Sequence, residues 1–236
     1  MSTSATRRRG ASWRAAGALV FVDAVHAAAH ALPDVARDDL DFLVFSPYKC
    51  CAPHLGALYV RTALIKDLDV PKLCFKEDDS LNKAEHGTPP YEALAGWLAA
   101  VEYYCFDVAG RAEVSRAALE AAFSNIEELE APLKSALVDG LRAIPGVTVY
   151  GSPALEARVG TVAFRVAGVA PKDAALRLGE QGVCVGNGHF YAILPTEALG
   201  VKEEGVVRAS VAHYNTEAEI ARLVESVRAL AAQGGK

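Results

Sequence analysis

The stretch FVDAVHAAAHALPDVARDDLDFLVFSPYKCCAPHLGALYVR, residues 21–61, decides how this chain is read. Two short apolar runs rich in β-branched and aromatic residues bear on it: Gly17–Val22 (GALVFV), which ends at Asp23, and Asp41–Ser46 (DFLVFS), which ends in a Ser-Pro turn carrying Lys49. Continuous runs of this kind read as buried parallel strands. Gly56–Arg61 (GALYVR) reads as a third strand, reached through a loop with Pro53 and Gly56. The interval between Asp23 and Asp41 leaves room for a turn or short helix, as in α/β architecture. A solvated charge has little structural business directly behind a strand, so Lys49 calls for a chemical explanation.

Working outward, the 236 residues are enough to bury a sizeable core as one large domain or two small ones. With 52% hydrophobic and 22% charged residues, the composition is that of an ordinary globular protein. A net charge of -5 gives no general attraction for nucleic acid, which is set aside as a partner. No apolar run approaches the roughly 20 residues of a membrane-spanning helix, so no membrane partner is expected. The five cysteines are odd in number, include the adjacent Cys50 and Cys51 and form no C-x-x-C pair, which argues against a disulfide framework or a cysteine zinc site. Residues 1–14, within the acid-free start MSTSATRRRGASWRAAG, read as a disordered basic tail; the expected compartment is the cytoplasm, with organelle targeting left open.

Downstream, residues 66–90 are polar and read as a long loop, KEDDSLNKAEHGTPP holding its charges and turn residues. Helical spacing follows over Tyr91–Phe106, with Leu94, Leu98, Val101 and Cys105 on one stripe. A longer helix is expected from about Val114 to Leu141, with Ala118, Phe123, Ile126, Leu129, Leu133 and Leu137 on its apolar face. Strands at 147–151, 160–166, 182–187 and 205–211 then alternate with helices over Pro171–Gly179 and Thr216–Ala232, the pattern of a small α+β domain. The expected division is therefore 15–110 and 111–236, with the boundary at the long helix near residue 110.

A lysine amine is a nucleophile toward aldehydes, and a turn at strand ends suits it to hold a carbonyl cofactor as a Schiff base. Pyridoxal phosphate (PLP) also needs a carboxylate opposite its ring nitrogen, and Asp23 ends the preceding strand. Other readings stay open at this point. Asp23 could cap the following helix, Asp23, His26 and His30 could line one helix face as metal ligands, and Arg208 could be a surface residue of an alternating strand. His54 and His213 read as structural histidines, and Cys184 as a small buried hydrophobe. No metal site is expected.

VDAVHAAAH, DFLVFSPYKCCAPHLGALYVR, EHGTPP, GHFYA and VRASVAHYNT, in that order, resemble the class V aminotransferase family of fold-type-I PLP enzymes, and in particular its cysteine desulfurase-like branch. The resemblance implies an α/β chain, part of the PLP-binding large domain with its mixed sheet followed by the small α+β domain. It implies that Lys49 holds PLP, that Asp23 pairs with the pyridine nitrogen, that His26 contacts the phenolic oxygen, and that Ser46 and Tyr48 stand at the phosphate. Gly87 and Thr88 resemble a turn that reaches the phosphate of a partner subunit's cofactor, which implies a homodimer. Arg208 and His189 fall at the substrate-binding positions, Arg208 as the clamp for the carboxylate of a small amino acid.

Two departures qualify what the resemblance implies. Where a desulfurase has a cysteine in a G-H-x-C loop, this chain reads Gly188-His189-Phe190-Tyr191, so persulfide formation is not expected. Family members are also far longer, and the N-terminal half of the large domain is expected to be missing. The expected function is a PLP-dependent transferase or lyase acting on a small amino acid, either as a homodimer or with a complementing polypeptide. The alternative is a catalytically silent relative serving as an interaction or scaffold protein.

Overall fold

Strand β1 (Phe21–Asp23) pairs in parallel with β2 (Phe42–Phe45), Phe21 opposite Phe42 and Asp23 opposite Val44. Strand β3 (Ala57–Val60) returns antiparallel on the other side of β2. This is the first sheet of the computed structural model, which describes residues 13–152, 154, 155 and 158–234. The parallel link between β1 and β2 contains a 3-10 turn, Ala27–Ala29, and the antiparallel link between β2 and β3 contains another, Pro47–Cys50.

The amino end of β2 is anchored by Asp41, which is only 1% exposed. Its carboxylate accepts hydrogen bonds from the Val20 N–H (2.8 Å), Arg61 Nε (2.8 Å) and Arg14 Nη2 (2.9 Å). One side chain thereby ties the entry to β1, the start of β2 and the exit of β3. Arg14, which the sequence places at the end of a disordered tail, is held in this network; residues 1–12 of that tail lie outside the described residues.

Residues 66–90 contain turns but no helix or strand, as expected. Helix α1 (Tyr91–Tyr103) then continues as a π turn, Tyr104–Val108. Trp97 meets Phe45 edge to face with ring centroids 5.6 Å apart. A Cβ at Gly96 would come within 2.5 Å of Pro53 Cγ, so glycine there lets α1 approach the loop that follows Lys49. Helix α2 (Arg116–Arg142) buries Ala118 and Phe123, the latter against the Tyr104 ring at 5.2 Å.

The apolar runs are less covered than their composition predicts. Leu19, Phe21 and Leu58 are 57%, 58% and 55% exposed, and Leu94 and Leu98 of the expected α1 stripe are also in water. The physical reason is neighbourhood: β1 is an edge strand, and among the described residues Phe21 gains the Phe42 ring at 5.5 Å but remains 58% exposed.

The chain divides into two compact units, one up to Asn125 and the other from Ile126, with the division inside α2. The second unit carries a four-stranded antiparallel sheet in the order β4 (Val147–Tyr150), β5 (Thr161–Val166), β7 (Val206–Ser210), β6 (Gly186–Gly188). Along β5 Val162, Phe164 and Val166 point inward, the two-residue period of a sheet with one buried face. They pack in one core with Leu133, Leu137 and Leu141 of α2, with Ala174 and Leu178 of α3 (Pro171–Glu180), and with Leu223 and Val227 of α5 (Glu217–Gly234). A short helix, α4 (Ile193–Ala198), was not expected from sequence, since its ILPTEA holds a proline and too few residues to show a period. Leu129, expected on the buried stripe of α2, is exposed. Among the described residues no helix is long and apolar enough to cross a membrane.

Candidate active site

The carboxyl ends of the two parallel strands carry the groups that the sequence singles out. In open α/β sheets this is where ligands bind. Asp23 closes β1; one of its carboxylate oxygens, Oδ1, accepts a hydrogen bond from the Val25 N–H at 2.9 Å. That bond turns the chain toward His26, which stands at the N-cap of the Ala27–Ala29 turn, its ring edge to face with His30 at 5.4 Å. The carboxylate does not cap that turn.

Ser46 follows β2 in extended conformation, and its hydroxyl caps none of the backbone N–H groups of the Pro47–Cys50 turn. Pro47 presets the backbone of this turn, Lys49 N donates to Ser46 O at 3.0 Å, and Cys51, left-handed with φ 60°, ends it. The two short turns, Ala27–Ala29 and Pro47–Cys50, lie against each other, so the Asp23–His26 and Ser46–Lys49 segments are gathered at one end of the sheet.

Lys49 and Tyr48 are exposed, with Lys49 Nζ 5.9 Å from the centre of the Tyr48 ring. The Tyr48 ring in turn stacks on His54 at 4.7 Å, which makes His54 a support for the turn. Among the described residues the Lys49 ammonium has no carboxylate partner. Immediately beneath, the Cys50 thiol is pushed up to about 11 by burial and then by the neighbouring Cys51, so it stays protonated and unreactive near neutral pH. Burial and a hydrogen bond to Cys51 Sγ likewise raise the Tyr104 phenol.

Gly87, at φ +89°, and Thr88 lie at the exposed end of the 66–90 loop; among the described residues no hydrogen bond or ring contact joins them to the Lys49 turn. The loop is fastened by lysines. Lys83 Nζ is buried on Leu68 O at 2.8 Å, and Lys76 Nζ donates to Asn82 O and Glu85 O. Sequence carries no signal for such clasps, because a lysine in a polar loop reads as solvated.

In the second unit Arg208 lies on β7, exposed, opposite Ala163 on one side and Gly186 on the other. Its guanidinium stacks on the Phe190 ring, Cζ 4.0 Å from the ring centre. Phe190 and Tyr191 are both left-handed, φ 51° and 61°, and Tyr191 is 95% exposed. His189 Nδ1 accepts the Tyr191 N–H at 3.1 Å, so that its ring holds the turn from within. Phe190 is the functional candidate that sequence reading passes over. Cys184 is a correction: it is exposed and precedes β6, because the strand expected over 182–187 begins at Gly186. Among the described residues no three His, Cys, Asp or Glu side chains are gathered to hold a metal.

The donor set suits PLP: an amine with no ion-pair partner, a carboxylate with one oxygen outside any hydrogen bond among the described residues, and a hydroxyl not spent on the backbone. A family model described as Aminotransferase class-V matches residues 6–223. A cysteine desulfurase of Escherichia coli O9:H4 (strain HS) is 32% identical over 225 residues, 90% of this chain and 51% of that protein. An aminotransferase-like protein of Gibberella zeae is 32% identical over 215 residues, 88% of this chain and 50% of that one. The apo structure of a cysteine desulfurase from Thermococcus onnurineus NA1 has a TM-score of 0.84 at 26% identity, over 97% of this chain and 56% of that one. A cysteine desulfurase structure from Escherichia coli has a TM-score of 0.78 at 28% identity, over 95% and 55%. The chain thus spans about half the length of the relatives it matches.

Proposed function

We propose, for a chain that belongs to the aminotransferase class-V family, a PLP-dependent reaction on a small amino acid in which Lys49 holds the cofactor. One observation carries the reading. Lys49, without a carboxylate partner among the described residues, is presented on the turn that ends β2, beside the parallel strand that ends in Asp23.

When bound, PLP supplies an electron sink for a carbanion at the substrate's α-carbon. The Asp23 carboxylate would pair with the protonated ring nitrogen, His26 would meet the phenolic oxygen, and Ser46 and Tyr48 would donate to phosphate. The Lys49 amine would take the substrate's α-proton as a general base. Arg208 donates in parallel to the substrate carboxylate, with His189 shaping the turn beside it. Gly87 and Thr88 are assigned to a partner subunit's phosphate.

Titrating PLP into the protein tests the reading: a visible absorbance band distinct from free PLP, bleached by borohydride, is expected. A spectrum identical to free PLP at all concentrations would overturn it in favour of the interaction-protein alternative.

Assembly belongs to the same reading, either as a homodimer or with a complementing polypeptide. The uncovered Leu19, Phe21 and Leu58, together with Phe75 and Leu81 on the 66–90 loop, are support for a protein partner. Light scattering at micromolar concentration is expected to report a dimer or larger species, or a monomer that associates with a co-purified polypeptide. A lone monomer that stays monomeric with PLP contradicts both forms.

A further inference from the structure

Arg208 is unusual for an exposed arginine. Among the described residues it has no ion pair and no side-chain hydrogen bond, yet it is not loose, because its guanidinium sits over the Phe190 ring, Cζ 4.0 Å from the centre. The seat for that ring is made by the opposite strand. Gly186 faces Arg208 across the β6–β7 ladder, and a Cβ there would stand 2.9 Å from Phe190 Cε1. Only glycine leaves the space.

The loop carries strain to put the ring there. Phe190 and Tyr191 are consecutive non-glycine residues at φ 51° and 61°, a conformation that bulky side chains rarely take. Strain of this kind costs more than a single exposed cation–π stack returns, and persists where surrounding bonds impose it. Here the Tyr191 N–H to His189 Nδ1 and the Ala192 N–H to His189 O, at 3.1 and 2.8 Å, impose it.

We infer that Phe190 is the positioning and specificity-determining residue of the carboxylate site: by covering one face of the Arg208 guanidinium it holds the fork in a fixed plane. The inference rests on the proposed role of Arg208 as the clamp for the substrate carboxylate and adds what holds that clamp in place. A stacked guanidinium offers its N–H groups at its edge, where two can donate in parallel to one carboxylate. Because the side chain is already held, little rotamer freedom is lost on binding. The site therefore selects α-amino acids with a free α-carboxylate over the corresponding amines.

The test follows the Arg208 Nε–Hε resonance in ¹H–¹⁵N spectra of the full chain, with and without PLP, titrated with L-alanine or ethylamine. Wild type is expected to respond saturably to L-alanine and not to ethylamine. Phe190→Ala is expected to weaken L-alanine binding about tenfold, and Phe190→Tyr to stay within about twofold of wild type, the scale of losing or keeping one preorganised contact. Gly186→Ala, which leaves Phe190 in the sequence but denies its ring the seat, is expected to behave like Phe190→Ala. In the PLP-loaded chain the loss falls on KM more than on kcat. Equal L-alanine affinity in wild type, Phe190→Ala and Gly186→Ala overturns the inference, as does an equal response to ethylamine. The PLP band reads the parent proposal separately. A band with an unresponsive Arg208 sinks the inference alone, and a responsive Arg208 with no band sinks the cofactor reading alone.

Discussion

Lys49→Ala is expected to abolish the PLP band outright and to lower any turnover of amino acids by at least about 10²–10⁴, the usual worth of a positioned proton-transfer group. In the proposed reaction one amine would have two roles, as the covalent tether and as the base at the α-carbon, and the expected size of the effect follows from that. Lys49→Arg separates these roles from charge. It keeps a cation near the Tyr48 ring, but a delocalised guanidinium is neither a useful nucleophile nor a base near neutral pH. Lys49→Arg is therefore expected to fail as completely as Lys49→Ala. An arginine variant that retained the band would mean that the lysine contributes only charge. The turn itself should survive both changes, because its bonds are made by the backbone and by Pro47.

Asp41→Ala is expected to cost about 3 kcal/mol of stability at neutral pH, in the range for removing one member of a buried, hydrogen-bonded charge group. It leaves the Val20 N–H and two arginines without their common acceptor. Burial pushes the Asp41 carboxyl upward, but the Val20 N–H, Arg61 and Arg14 outweigh burial and hold it below its ordinary value of 3.8. The sign is then fixed. A folded value below the unfolded one stabilises fully above pH 3.8, and that contribution disappears as pH falls through the folded value. Urea denaturation should show wild type and Asp41→Ala far apart at pH 7 and converging only below pH 3.8. A gap independent of pH would mean that packing, not charge, does the anchoring. The consequence reaches the site, because Asp41 fixes the amino end of the strand that delivers Ser46 and Lys49 at its carboxyl end.

The local structure of the first unit was legible because it is specified within a few residues. A short apolar run ending in Asp, and another ending in Ser-Pro-Tyr-Lys, specify strands and a turn within a few residues, and the structure places both at one end of a sheet. Burial was not legible in the same way. Leu19, Phe21, Leu94 and Leu98 have the right residue types and spacing for a core, but whether a face is covered depends on what packs against it. The same limit explains Cys184, whose expected strand over 182–187 begins four residues later, at Gly186. Arg14, Arg61 and Asp41 look like ordinary surface charges until β1, β2 and β3 bring them together. The Phe190–Arg208 stack is the clearest long-range case. It needs the Gly186–Arg208 register and a backbone that two aromatic residues would not choose alone.

The most direct measurement of the central claim is to reduce the PLP-treated protein with borohydride, digest it and map the pyridoxyl label by mass spectrometry. Near-stoichiometric label on Lys49 is the predicted result, with Lys76, Lys83 and the remaining lysines unlabelled at matched PLP. Label spread over many surface lysines, or found on another lysine while Lys49 stays unmodified, would contradict it.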